Sequence, residues 1–502
     1  MARTPLLSFD RGTLILHPPP RGKEWIDFAT WDDRIEKFRV PALQYRGLIQ
    51  ALNQGQVAYQ DQARAYQVLT LAQTQSHRPY PHQLEALSAW QRQGGQGVVV
   101  LPTAAGKTYL AQMVMQATQR STLIMVPTLD LMHQWYANLL DAFPGVEVGL
   151  LGGGSHDRAP VLVATYDSAA IHAESLGNRY GLLVFDECHH LPSDFNRVIA
   201  EYAIAPFRLG LTATPERGDG RHQDLDWLIG PQVYRRTPEE LSGQVLAEHR
   251  HIKLAVTLSS QERDRYDQLI ELRNTFLRDK GIFLGSLQGW QNFVRQSARS
   301  PAGRRAMLAH REARAIAFGT AGKLRILADL LHQHYPAQTL IFTDDNATVY
   351  RISQEFLIPA ITHQTPVKER HRILESFKQG DYPTIVTSRV LNEGVDVPEA
   401  RVAIVLSGTG SKREAVQRLG RVLRKGQQDS KLALLYEVIA QGTTEENVSK
   451  RRNRKPGEAP QRQLELVPSP YPETPAIQPR AAESESIWQN QTESGGLSPL
   501  DF

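Results

Sequence analysis

The chain has 502 residues, enough for about three domains at the usual size. Hydrophobic residues make up 41% and charged residues 22%, which excludes collagen, coiled coil and wholesale disorder. The formal net charge is only +4, so a nucleic-acid surface would have to be a local patch, and the lone Cys188 excludes an intramolecular disulfide and a cysteine zinc cluster.

The single cysteine suits a reducing, cytoplasmic compartment. The first apolar stretch, Leu6 to Leu16, is broken by Asp10 and Arg11, too short and too charged for a secretory signal. No run reaches the roughly 18–20 apolar residues of a membrane span, so no membrane is expected as a partner. Residues 1–75 read as a small unit with strand character at Gly12–Leu16 and a helix over Ala42–Leu52.

From 98 to 440 the chain alternates short apolar runs with helical stretches. The runs are Val98–Leu101, Leu123–Val126, Val161–Ala164, Leu182–Phe185 and Arg208–Leu211, then Thr339–Thr343, Thr384–Thr387, Val402–Leu406 and Lys431–Tyr436. Val, Ile and Leu on both faces mark buried parallel strands covered by helices. The break between the two sets predicts two α/β domains. The segment from about 260 to 318 reads as helical and basic. Between Arg273 and Arg314, nine Lys/Arg face only Asp279 and Glu312, with Phe276, Phe283, Trp290 and Phe293 interleaved. Such a mixture suits phosphate contact and base stacking. It equally suits a solvated helical face with inward aromatics, and composition leaves both open. After the basic run Lys450–Lys455 come eight prolines among many Ser, Glu and Gln, so 456–502 is expected to be a disordered tail.

Four motifs carry chemistry. Val98–Leu101 runs into Pro102-Thr103-Ala104-Ala105-Gly106-Lys107-Thr108 and then a helix. Backbone N–H groups and a helix N-terminus there would face phosphates, with Lys107 neutralising charge and Thr108 ligating magnesium. Leu182–Phe185 ends in Asp186-Glu187-Cys188-His189. At the carboxyl end of a buried strand, Asp186 can hold Mg2+ through water and Glu187 can take the proton of an attacking water. Leu211-Thr212-Ala213-Thr214 offers hydroxyls to that acidic loop. In Gln417–Arg424, Arg421 and Arg424 share a helix face and can act as arginine fingers; Asp396, in the turn 391–398, can bind ribose or couple nucleotide to track.

These motifs, in this order, resemble the superfamily 2 helicases. Val126–Asp130 with Gln134-Trp135 resembles motif Ia, Thr165–Ala169 motif Ib, and Leu340–Thr343 motif IV. The Asp186–His190 box followed by Leu191-Pro192 is similar to the XPB-type DNA helicases, closest to the compact archaeal and bacterial form. So are Ile204–Thr214, Phe356–His363 and the insertion around Phe276–Arg299, which resembles that family's thumb; Phe9–Thr13 with Tyr45-Arg46 resembles its damage-recognition domain.

The resemblance implies two RecA-like parallel-sheet domains, at 76–240 and 241–455. A helical thumb interrupts the second, and an α+β damage-recognition domain at 1–75 precedes the first. It implies an ATP- and Mg2+-dependent 3′–5′ DNA helicase or translocase in nucleotide excision repair, acting on forked, bubble or damaged duplex. A cytoplasmic, nucleoid-associated location is expected; the sequence does not fix the oligomeric state, with a monomer favoured. A partner nuclease is expected.

Gln83 is expected at the adenine edge. Thr103, Ala104, Ala105, Gly106, Lys107 and Thr108 form the phosphate loop. Arg217, Asp219, Arg295, Arg299, Arg304 and Arg305 are expected at DNA. Two positions depart from the family. Ala104 replaces a glycine, so the loop must manage positive φ without it or bend elsewhere. Arg217-Gly218-Asp219, with Glu216 beside it, replaces an Arg-Glu-Asp triad implicated in duplex opening. That departure bears on strand separation more than on hydrolysis, and makes a DNA-dependent ATPase that tracks or clamps duplex and recruits a nuclease the main alternative. An RNA helicase is a more distant one.

Overall fold

Apolar runs with no polar alternation are satisfied only between two layers of helix, and that is where they lie. The computed structural model describes residues 4–23, 25–74, 78–217, 219–241, 248–284, 287–388, 400–407, 432–446 and 465–466. The N-terminal strands are β1 (Leu6–Asp10), β2 (Thr13–His17), β3 (Thr30–Asp32), β4 (Lys37–Pro41) and β5 (Gln60–Asp61). They form one sheet in the order β3-β4-β2-β1-β5, backed by the Tyr45–Gln54 helix. Leu7, Leu14, Leu16, Val40, Leu48 and Leu52 fill its core. This unit is fastened to the next. Arg46 donates to the Pro206 carbonyl at 3.1 Å and Asn178 to the Ala63 carbonyl at 2.9 Å. Gly12, at φ +86°, lies under Tyr202, where a Cβ would meet the ring at 2.4 Å.

The next strands are β6 (Gln96–Val100), β7 (Thr122–Val126), β8 (Val148–Gly152), β9 (Ser155–His156), β10 (Val161–Thr165), β11 (Leu182–Asp186), β12 (Phe207–Thr212) and β13 (Gln232–Arg235). Their order is β13-β6-β12-β11-β7-β10-β8-β9, parallel except for the β8–β9 hairpin. Successive residues serve opposite faces. Val99, Ile124, Val184 and Leu209 pack with Trp135 and Leu139 on one side, while Val98, Leu123, Leu183 and Phe185 pack with Ile199, Leu225 and Leu228 on the other. The polar edge strand β13 and the glycine-flanked β8 have no such run, which is why composition does not reveal them.

The third sheet holds β14 (Glu248–Val256), β15 (Thr339–Phe342), β16 (Ala360–Ile361), β17 (Thr384–Thr387), β18 (Val402–Val405), β19 (Leu432–Ala440) and β20 (Glu465–Leu466). The order is β16-β17-β15-β18-β19-β14-β20, all parallel. The α/β architecture expected from the runs is therefore found. Strand β20 departs from the disorder expected of the tail, since Glu465–Leu466 pairs with Leu254–Ala255 along the outer edge of β14. The remainder of 456–502 lies outside the described residues.

The basic insertion is three helices, Ser260–Asp279, Leu287–Ser297 and Pro301–Gly319. Ser259 and Glu262 form a capping box at the first, and Ser300 caps the third ahead of Pro301. The insertion is tied to its sheet. Arg263 donates to the carbonyls of Gln441 and Gly442, and Arg314 meets the buried Asp344 at 2.6 Å. One apolar cluster runs through both α/β domains, from Val184 and Trp135 to Leu340, Phe342 and Ile385.

Candidate active site

The phosphate loop joins β6 to the Lys107–Thr118 helix, so its backbone N–H groups open at a helix N-terminus. Two residues in it are left-handed, Gly106 at φ +77° and Ala104 at φ +68°. The loop does not bend elsewhere to spare the alanine; Ala104 itself takes the strained conformation. Ala105 donates its N–H to the Pro102 carbonyl, and its own carbonyl meets His82 Nε2 at 2.9 Å. Gln83 caps the Pro81–Arg92 helix, accepting from Tyr80 N–H at 2.9 Å, and donates from Nε2 to the Gly106 carbonyl at 3.1 Å. A Cβ on Gly106 would meet that amide at 2.3 Å, so this close approach requires glycine. Thr103 and Thr108 lie on the same loop and helix start, both partly exposed. Next to the loop a cavity of about 540 Å³ is lined by Tyr80, His82, Glu85, Arg236, Glu240 and Leu241.

Asp186 ends β11, beside β12 and one strand removed from β6. It is only 6% exposed. Its Oδ1 accepts from Glu187 N–H at 3.0 Å, its Oδ2 from Trp135 Nε1–H at 2.8 Å, and its carbonyl from the Tyr166 hydroxyl at 2.9 Å. Burial first, then repulsion from Glu187, pushes its acid up to about 6. Glu187 sits at φ +48°, a left-handed turn that aims its side chain back at the loop. Its carboxylate lies 3.8 Å from Lys107 Nζ and 3.4 Å from the Thr212 hydroxyl, which also meets His189 Nδ1 at 3.1 Å. Lys107, Asp186, Glu187 and Thr212 thus converge at the carboxyl edge of one sheet. A carboxylate, a threonine hydroxyl and a lysine around a positive-φ loop are hard oxygen donors and a cation, a set that fits Mg2+ bound with a nucleotide phosphate.

Arg217 grips Asp219 with two bonds, 3.0 and 2.7 Å, and donates to the His189 carbonyl at 2.5 Å. The two residues expected at DNA therefore hold each other next to the acidic box. In the insertion, Arg295, Arg299, Arg304 and Arg305 are exposed. Its aromatics divide: Phe276 and Phe293 are buried, whereas Phe283 is 79% exposed and Trp290 37%. Gly218, Asp396, Arg421 and Arg424 lie outside the described residues.

Sequence reasoning gave no role to Trp135, Tyr166 or His82, although the first two lie in the motif Ia and Ib matches. Their partners are 51, 20 and 23 residues away, a distance that no local spacing encodes.

A phosphate loop and an acidic box on one parallel sheet, with a second such sheet behind it, define a two-domain nucleoside-triphosphatase motor. Residues 76–217 match the model of the type III restriction enzyme res subunit, residues 7–63 that of the xeroderma pigmentosum group B helicase damage recognition domain, and residues 322–426 that of the helicase conserved C-terminal domain. The chain is 39% identical over 423 residues to the DNA 3′-5′ translocase XPB2 of Sulfurisphaera tokodaii, covering 84% of this chain and 95% of that one. It is 32% identical to the DNA 3′-5′ helicase XPB of Kineococcus radiotolerans, over 74% of this chain and 62% of that longer one. The helicase domain of Pyrococcus furiosus Hef shares the fold, with a TM-score of 0.52 at 20% identity, over 74% of this chain and 97% of that one. The chain belongs to the XPB family of superfamily 2 helicases. Among the described residues no helix is long and apolar enough to cross a membrane.

Proposed function

We propose that this chain is an ATP-dependent 3′–5′ DNA helicase or translocase acting in nucleotide excision repair, on forked, bubble or damaged duplex in the cytoplasm. The observation that carries it is the convergence of Lys107, Asp186, Glu187 and Thr212 at one sheet edge, in a chain 39% identical to a DNA 3′-5′ translocase.

Thr103 to Thr108 wrap the β- and γ-phosphates with backbone N–H groups, and Lys107 leaves Glu187 to neutralise them. Thr108 and Asp186 would hold Mg2+. When bound, Mg2+ supplies charge neutralisation along the phosphate chain. Glu187 accepts the proton of the water that attacks the γ-phosphorus as the bond to the β–γ bridging oxygen breaks. Gln83 keeps one Nε2 hydrogen for the adenine edge after bonding Gly106. Arg421 and Arg424 stabilise the transferring phosphoryl group, and Asp396 meets the ribose, as the two domains close. Closure and reopening move the track. The insertion's exposed arginines contact phosphates, and the N-terminal unit recognises damage and presents a nuclease partner.

A second reading, translocation without strand separation, is favoured by the closed Arg217–Asp219 fork next to Gly218. One experiment decides: ATP turnover and strand displacement on a fork with a 3′ overhang, against plain duplex and RNA. Stimulated turnover with an opened fork supports the helicase. Stimulated turnover with a closed fork leaves the translocase or clamp. RNA as the better stimulant overturns both. Lys107→Ala or Glu187→Gln should lower turnover by about 10²–10⁴-fold.

A further inference from the structure

Trp135 lies on the Leu129–Ala142 helix, which is capped by the Thr128 hydroxyl accepting from Leu131 N–H. It is 1% exposed, and the core around it asks only for an aromatic ring. The indole supplies something more. Its N–H points out of the apolar cluster and donates to Asp186 Oδ2 at 2.8 Å. A buried N–H must find an acceptor, and here the acceptor is a carboxylate with its own unfilled lone pairs.

The Asp186 carboxylate is held at two points. Oδ1 takes the Glu187 N–H at 3.0 Å, and Oδ2 takes the indole. The first donor is backbone and moves with the box itself. The second comes from a different element, on a helix packed against the sheet. Tyr166, from a third element, grips the Asp186 carbonyl at 2.9 Å and fixes the backbone but not the carboxylate. Among the described residues, Trp135 is therefore the one side chain that donates to this carboxylate. A carboxylate that binds metal through water works only if its free lone pairs face the metal, so a donor that fixes its rotamer sets how well it binds.

We propose that Trp135 is a positioning residue of the ATPase: its indole N–H fixes the rotamer of Asp186 and so sets the affinity for magnesium with nucleotide. The proposal rests on the reading of Asp186 as a magnesium-holding residue. Trp135 would act through Asp186 alone. The same helix carries Asp130 near its start, paired with Arg370 of the second α/β domain.

The test uses the full chain and calorimetric binding of a non-hydrolysable ATP analogue across a magnesium series, alongside steady-state turnover. Trp135→Phe keeps an aromatic ring and removes the N–H. The expected result is unchanged nucleotide affinity without magnesium, roughly 10-fold more magnesium needed for the metal-dependent gain, and turnover lowered roughly 10-fold at sub-saturating magnesium but recovering as magnesium is raised. Tyr166→Phe, which leaves the carboxylate's donors in place, should shift the magnesium series less. Wild-type magnesium dependence in Trp135→Phe overturns the proposal. If that variant fails to fold, benzothienylalanine at position 135, which keeps the bicyclic shape and lacks the N–H, takes its place, and wild-type behaviour there overturns the proposal equally. Asp186→Ala separates the two readings. Should it retain magnesium dependence, the assignment of Asp186 falls, whatever Trp135→Phe does.

Discussion

The guanidinium of Arg370 lies 2.6 Å from the carboxylate of Asp130, joining two helices that belong to different α/β domains. Arg370 also donates to the Thr365 carbonyl, while its buried Nε has no hydrogen-bond partner among the described residues. The pair is mostly shielded, its side chains 13% and 23% exposed, so each partner leaves an under-solvated charge if the other is removed. Arg370→Ala should loosen the domain junction. Solution scattering on the DNA-free chain is expected to show a larger radius of gyration, and a double-mutant cycle with Asp130→Asn a coupling of about 1–2 kcal/mol. A radius unchanged in both single variants would mean that the shared apolar cluster alone sets the domain arrangement.

Ala104 occupies φ +68°, where an L-residue sacrifices about 1–2 kcal/mol. Glycine removes that strain but adds roughly 0.4–1 kcal/mol of unfolded-chain entropy. The two nearly offset, so Ala104→Gly should raise stability by only about 0.5 kcal/mol, read as a small rise in Tm. Turnover should persist. A clear loss of stability would show that the alanine methyl contributes packing that outweighs its strain.

What the sequence made legible, and what it did not, divides along the range of the interactions. The parallel strands declared themselves because runs such as Leu182–Phe185 and Ile341–Phe342 face helices on both sides. The phosphate loop and the acidic box were readable because their residues are consecutive. The Trp135–Asp186 bond was not, because its partners meet only after the sheet has formed. At Ala104 the sequence leaves two routes open, tolerating positive φ or bending elsewhere, and the loop takes the first. In the insertion, one composition serves both readings at once: Phe293 is core on the Leu287–Ser297 helix, and Phe283 is surface in the loop that precedes it.

Asp186 also carries a pH signature. Its folded-state acid sits at about 6 against an ordinary 3.8, so the folded chain keeps a proton the unfolded chain has released. The stability it contributes is present below 3.8 and is lost as pH climbs to about 6. At neutral pH the buried anion is thus a liability that a bound cation relieves. Magnesium-dependent nucleotide binding should weaken by up to about tenfold per pH unit below 6, and Asp186→Asn should remove that dependence, leaving only the nucleotide's own. Parallel pH curves for both proteins would place the titrating group elsewhere.

His310 behaves in the opposite sense. Burial, then the charges of Arg273, Arg314 and Arg311, lowers it from 6.5 to about 4. It packs against Trp290 and Phe293, and its Nδ1 faces Arg273 at 3.5 Å, which suits the neutral ring. A depressed histidine contributes stability above its unfolded value, lost as pH falls from 6.5 to about 4. Discounted for partial exposure, the loss by pH 5 should be of the order of 1 kcal/mol. Trp290 fluorescence should report loosening of the insertion before the sheets melt, and His310→Phe should flatten that transition.

Arg295, Arg299, Arg304 and Arg305, exposed on the insertion, allow a sharper separation of its two readings. Arg304 and Arg305 stand on the first turn of the Pro301–Gly319 helix, on its solvent side, while Gly303 and Ala306 face inward. Among the described residues neither makes an ion pair, so replacing both should leave the fold intact. If they meet phosphates, each lost contact removes about one counterion released on binding. Arg304→Gln with Arg305→Gln should then weaken DNA binding several-fold at low salt and flatten the logarithmic salt slope by about two. Weakened binding with an unchanged slope would trace the loss to packing or orientation. Unchanged binding and slope would return this turn to a solvated face, and leave Phe283 and Trp290 to be tested as stacking groups on their own.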